Sequence, residues 1–125
     1  MTSKVRRLEP CPDTPNCVSS QADPGDKEHY LPPIPYSGDK DKNVITIIVE
    51  VVANMERSKV TVSEWDYLHA EFKSRVFRFT DDVEFVVDRE AQLVHFRSAA
   101  RLGKADMDAN RERMLNVTEQ LKQRL

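Results

Sequence analysis

Glycine is scarce in this chain, three residues in 125, and no glycine-rich phosphate loop can be built from them. Cysteine is limited to Cys11 and Cys17, so there is no paired CxxC of a zinc ribbon, and the sequence holds neither an HExxH motif nor a nucleophile elbow. Charge of one sign is missing too. Lys plus Arg number 19 against 21 for Asp plus Glu, a formal charge of -2, which offers no positive field for nucleic acid or an anionic membrane, and neither is expected as a partner. No apolar run reaches the roughly 18 to 20 residues that cross a bilayer. Met1 to Pro10 is basic but lacks the apolar centre of a secretory signal. The expectation is a cytoplasmic protein as written, or a periplasmic or membrane-tethered one if a leader has been removed.

What remains is a soluble globular composition, 39% hydrophobic and 32% charged. A chain of this size buries roughly two-thirds of its unfolded surface and needs no metal or disulfide to fold. Proline divides it. All seven prolines and two of the three glycines precede Asp39, and neither a helix nor a central strand runs through that spacing. Residues 1–40 therefore read as a Pro-rich arm with the Cys pair, partly docked through Val18, Tyr30, Leu31, Ile34 and Tyr36, and 41–125 as an α+β domain.

From Val44 the apolar residues Ile47, Ile48, Val51, Val52 and Met55 recur every three or four positions, predicting a helix over about 41–56 capped by Asp39 or Asp41. Alternation then predicts four strands, 59–63, 67–73, 76–88 and 93–99, with Phe77, Phe79, Val83, Phe85 and Val87 on one side of the third. After Gly103 a second helix is predicted over 106–125, capped by Asp106, with Met107, Met114, Thr118, Leu121 and Leu125 as its stripe. The fold class is α+β, two layers: a four-stranded antiparallel meander with both helices on one face, in the order α-β-β-β-β-α.

Tight turns at 89–90 and 74–75 would set Asp82 opposite Arg97, Glu84 opposite His95, Glu71 opposite Arg78, His69 opposite Thr80 and Tyr67 opposite Asp82. That polar face supports an enzyme reading, with His69 or His95 as base, Asp82 or Glu84 to orient it and Arg97 to hold an anion. It equally supports a solvated face of charge pairs. Parity places Asp81 on the apolar side, so a β-bulge turns it outward or Arg101 or a backbone N–H satisfies it. Arg97, Arg101, Arg111 and Arg113 gather either around an anion at the second helix or against Asp81, Asp82, Asp108 and Glu112. Cys11 and Cys17 remain open between a disulfide or redox-labile pair, reduced thiols, and a metal site for which His29 is the nearest further ligand.

Several segments together resemble one family. CPDTPNCVSSQAD (11–23), HYLPPI (29–34), DYLHAEFKSRVFRFTDDVEF (66–85) and RSAARLG followed by Asp and NRER (97–113) are similar to the bacterial and plastid group called domain of unknown function 1499. The resemblance spans nearly the whole chain. It implies that Cys11, Asn16, Cys17, Ser19, Ser20, Asp81, Asp82, Glu84, Arg97, Ser98, Arg101, Gly103, Asp106, Asn110 and Arg111 stand at the family's characteristic positions, and it brings no activity. Ala100 stands where relatives have a second Ser and Ala109 where they have Gly, which weakens a reading built on that hydroxyl. Many relatives carry a membrane segment or lipoprotein signal before the Cys motif.

The leading expectation is a non-catalytic binding or interaction module. Its site joins the Cys arm to Asp81, Asp82, Glu84, Arg97, Ser98, Arg101, Asp106, Asn110 and Arg111, and takes a small anionic or polar ligand or a protein partner. The alternatives are a hydrolase-like enzyme on Asp82 or Glu84 with His69 or His95, and a purely structural hydrogen-bond network. No cofactor and no metal are expected, and a bare sheet face allows a homodimer.

Overall fold

The computed structural model describes residues 5–74, 79–101 and 109–125. In chain order the elements are β1 (Cys17–Ser19), β2 (Ile34–Pro35), a 3₁₀ turn (Gly38–Asn43), α1 (Val44–Ala53), β3 (Ser58–Ser63), β4 (Tyr67–Lys73), β5 (Thr80–Asp88), β6 (Leu93–Ala100) and α2 (Ala109–Lys122).

The apolar stripe of α1 is buried at Val44, Ile47, Ile48, Val51 and Val52. These are β-branched residues of modest helix propensity, so burial against the sheet keeps the segment helical. Neither Asp39 nor Asp41 caps it; Asn43 occupies that position without a side-chain cap bond. Asp39 takes the Ser37 hydroxyl and Asp41 the Tyr36 hydroxyl. On α2 the buried face is Asn110, Met114, Val117 and Leu121. Val117 replaces the expected Thr118, and the expected cap Asp106 with Met107 lies outside the described residues.

The consecutive strands β3 to β6 are antiparallel neighbours, but the sheet has six strands rather than four. The arm supplies the other two: β1 and β2 both pair antiparallel with β6. The outer backbone groups of β6 need partners, and two short arm segments between prolines meet that need without long strand patterns.

Both connections are longer than tight turns, and the register moves accordingly. Four residues join β5 to β6, with Gln92 at φ 57, so Glu84 faces Arg97, Asp82 faces Ala99 and His95 faces Val86. Between β4 and β5 the Ser74 N–H bonds the Phe79 carbonyl at 2.8 Å and the Phe79 N–H bonds the Ser74 hydroxyl at 2.8 Å. Phe79 thus belongs to the connection and is exposed, not part of the core face. Glu71 then faces Asp82, His69 faces Glu84 and Tyr67 faces Val86; the expected partner Arg78 lies with Phe77 outside the described residues.

Leu68, Phe72, Val83, Phe85, Val94 and Phe96 form one buried cluster with both helices. The opposite face is half covered. The Arg6 guanidinium lies 3.8 Å from the Tyr67 ring centroid, Leu8 is buried, and Arg97 reaches the Pro10 carbonyl at 3.5 Å. Residues 6–10 therefore run over the outer side of β4 to β6, which explains why Val86 and Ala99 are buried there.

Candidate functional site

Strand alternation drives the Asp81 carboxylate into the helix face, where it is 8% exposed. No bulge relieves this, since β5 runs in unbroken register with both neighbours. Its partner is Arg113 of α2, at 2.9 Å. Arg113 lies over the Phe72 ring at 4.8 Å and donates to the Asn110 side-chain oxygen at 2.9 Å and to the Ser98 hydroxyl at 3.3 Å. Ser98 donates to the same Asn110 oxygen at 2.6 Å. The Asn110 amide in turn donates to the Asn16 carbonyl at 3.1 Å, and so does the Ala100 N–H at 3.1 Å. Arm, sheet and α2 are thereby joined through polar groups that find their partners inside the protein.

Across the same sheet end, on the other face, Arg101 donates to Asp82 at 2.7 and 3.1 Å and to Glu71 at 3.1 Å. The His69 ring meets Asp82 through Nε2 at 2.9 Å and the Thr61 hydroxyl through Nδ1. The Arg101 hydrogen bonds hold the Asp82 carboxyl below the usual range, against the opposing effect of its partial burial, and His69 adds to them. Asp82 is therefore a fixed carboxylate and a weak base. The Tyr67 hydroxyl donates to Glu84, and burial followed by this bond pushes the phenol up.

Cys11 and Cys17 are joined in a disulfide, with Cα atoms 5.7 Å apart. Both ring nitrogens of His29 have oxygen partners. Its Nδ1 meets the Asp26 carboxylate and its Nε2 the Thr14 carbonyl, each at 2.7 Å. Among the described residues no group of three or more His, Cys, Asp or Glu is placed to hold a metal ion. Arg111 donates to the Lys27 and Glu28 carbonyls at 2.9 Å each. At the far edge Ser20 accepts the Phe96 N–H at 2.8 Å and bonds His95 Nδ1 at 2.9 Å.

The expected cluster is thus two. Asp81, Ser98 and Asn110 lie on the helix face, Asp82, Glu84, Arg97 and Arg101 on the other, with Arg111 on the arm and Asp106 outside the described residues. The four arginines do not form one group: Arg101 and Arg113 pair with Asp82 and Asp81 on opposite faces of the sheet. Sequence reasoning assigned Arg89 only to a turn. It bonds Asp66 at 2.8 Å, the Trp65 carbonyl at 2.6 Å and Asp41 at 3.0 Å, and stacks on the Trp65 ring at 3.6 Å. Nothing in its local pattern signals that role, because all its partners are distant in sequence.

No described helix is long and apolar enough to cross a membrane. Comparison with curated proteins finds no match, and no solved structure matches. Residues 7–121, nearly the whole chain, match the family described as protein of unknown function (DUF1499), and the chain belongs to that family.

Proposed function

We propose that this domain is a non-catalytic binding module whose contact surface is the uncovered part of the outer sheet face, His69, Glu71, Asp82 and Arg101. One observation carries the reading: Arg101 is half exposed while held by two carboxylates, whereas Asp81, Ser98, Asn110 and Arg113 are engaged with one another inside the fold. The inner set acts as scaffold. The outer set is a fixed ion-paired surface of the kind that gives a protein partner register and specificity.

The enzyme reading draws on the line Thr61, His69, Asp82, a hydroxyl, an imidazole and a carboxylate in contact. Three clefts around the domain, of about 380, 560 and 180 Å³, are lined by other residues, and Asp82 is a poor proton acceptor beside Arg101.

Affinity purification with the wild-type chain and with Asp82→Asn and Arg101→Gln separates these readings. The expected result is a reproducible partner lost about tenfold or more with either variant, at unchanged thermal stability. Equal recovery with all three chains sinks the contact surface, and lost stability with equal recovery moves Asp82 to a structural role. Hydrolysis of an activated ester that His69→Ala abolishes would establish the enzyme instead.

A further inference from the structure

The loop closed by Cys11 and Cys17 has little packing of its own: of residues 11–16 only Asn16 is buried. Yet it carries two carbonyls on which other parts of the fold depend. Thr14 offers the oxygen that His29 Nε2 meets at 2.7 Å. Asn16 offers the oxygen that both Ala100 N–H and Asn110 Nδ2 reach at 3.1 Å. The covalent link substitutes for the missing packing.

The two sulfurs differ in access. Cys17 is 0% exposed. Cys11 is partly exposed and lines a cleft of about 180 Å³ together with Arg7, Ser19, Gln21, Asp26 and His29. A thiol reaching this disulfide therefore meets Cys11, and access of that kind governs exchange. Charges of both signs line the cleft, which suits a small uncharged dithiol.

We propose that the Cys11–Cys17 disulfide is a thiol-exchange site opened by a dithiol reductant at Cys11, and that opening releases the 11–17 loop from the edge of β6 and from α2. The reductant thiolate forms a bond to the Cys11 sulfur as the Cys11–Cys17 bond breaks. The electron pair goes to the Cys17 sulfur, which takes a proton from water. The second thiol of the reductant, on losing its proton, displaces Cys11 as a thiolate that is then protonated. Two electrons have passed, the protein holds two thiols and the reductant has become a cyclic disulfide. The release ends at β6, whose Ala99 faces Cys17 on one side and Asp82 of β5 on the other. The site stands apart from what the outer face binds.

Dithiothreitol on the folded full chain, quenched with N-ethylmaleimide and weighed as the intact protein, tests the exchange. The rate of reduction is expected to rise in proportion to the dithiol; a rate independent of dithiol concentration overturns the proposal, since the bond would then open only through unfolding. Hydrogen exchange on the reduced chain tests the release. The Ser19 and Ala100 amides are expected to lose protection about tenfold or more while Val83 and Phe85 keep theirs. Unchanged protection at Ala100, or equal loss along β5, overturns it.

Discussion

His29 and His95 show how two residues of one type have their pKa moved in opposite directions by their surroundings. Both ring nitrogens of His29 face oxygens, the Asp26 carboxylate and the Thr14 carbonyl, so the ring needs a proton on each. Burial works against that charge, but the bonds to Asp26 and Thr14 prevail and hold the pKa above the ordinary 6.5. For His95 burial prevails and the pKa falls below 6.5. The Ser20 hydroxyl, which already accepts the Phe96 N–H, also meets the ring at Nδ1. A pKa raised on folding contributes stability that is complete below the unfolded value and lost as pH rises through the folded one; a depressed pKa removes stability as pH falls. Urea midpoints are therefore expected to show a gap between wild type and His29→Asn that narrows only above pH about 6.5. The gap to His95→Asn should shrink only below it. Parallel curves across that range would show that neither ring titrates as its contacts imply. At this scale the sequence was partly legible. Alternation correctly put Asp81 inside, but its partner Arg113 lies 32 positions away on another element.

Among the described residues periodicity identified the long elements, because one buried face repeats at 3.6 residues on α1 and at two on β4 to β6. The arm strands stayed hidden, since three residues at Cys17–Ser19 and two at Ile34–Pro35 are too short for a period. Register failed for a different reason. The parity of each polar residue was legible, but loop length decides which residues face across, and the β5 to β6 connection needs Gln92 in the left-handed region at φ 57. A glycine would signal such a turn; glutamine does not. An L side chain there is strained, and Gln92 contributes its carbonyl to the Tyr36 N–H at 3.1 Å through backbone alone. Gln92→Gly is expected to keep that bond and raise stability by about 0.5 kcal/mol, while Gln92→Val lowers it by about 1 kcal/mol or more. Thermal denaturation of both variants checks the pair, and stabilisation by valine would contradict the turn.

At the scale of the whole molecule the domain is fastened separately at its two ends. Asn110 gathers Asn16, Ser98 and Arg113 where β5 begins, and Arg89 gathers Asp41, Asp66 and Trp65 where β5 ends. Seven steps along the strand from Asp81 to Asp88 set these points about 23 Å apart. Between them lies the apolar core, which the first network touches at Phe72 and the second at Tyr36. Asn110→Ala removes the oxygen that accepts from both Ser98 and Arg113 and the amide that donates to the Asn16 carbonyl, and Arg89→Met frees three elements from one another; each is expected to cost about 2 kcal/mol. Sites this far apart with no shared partner add, so the double variant should lose the sum within about 0.5 kcal/mol. Ser98→Ala with Asn110→Ala share one hydrogen bond and should fall short of their sum. Urea unfolding with the disulfide intact measures both cycles. Additivity in the first and its failure in the second would establish two independent fastenings; coupling between Arg89 and Asn110 would mean that the sheet transmits strain along β5, and that the scaffold and the outer face respond as one.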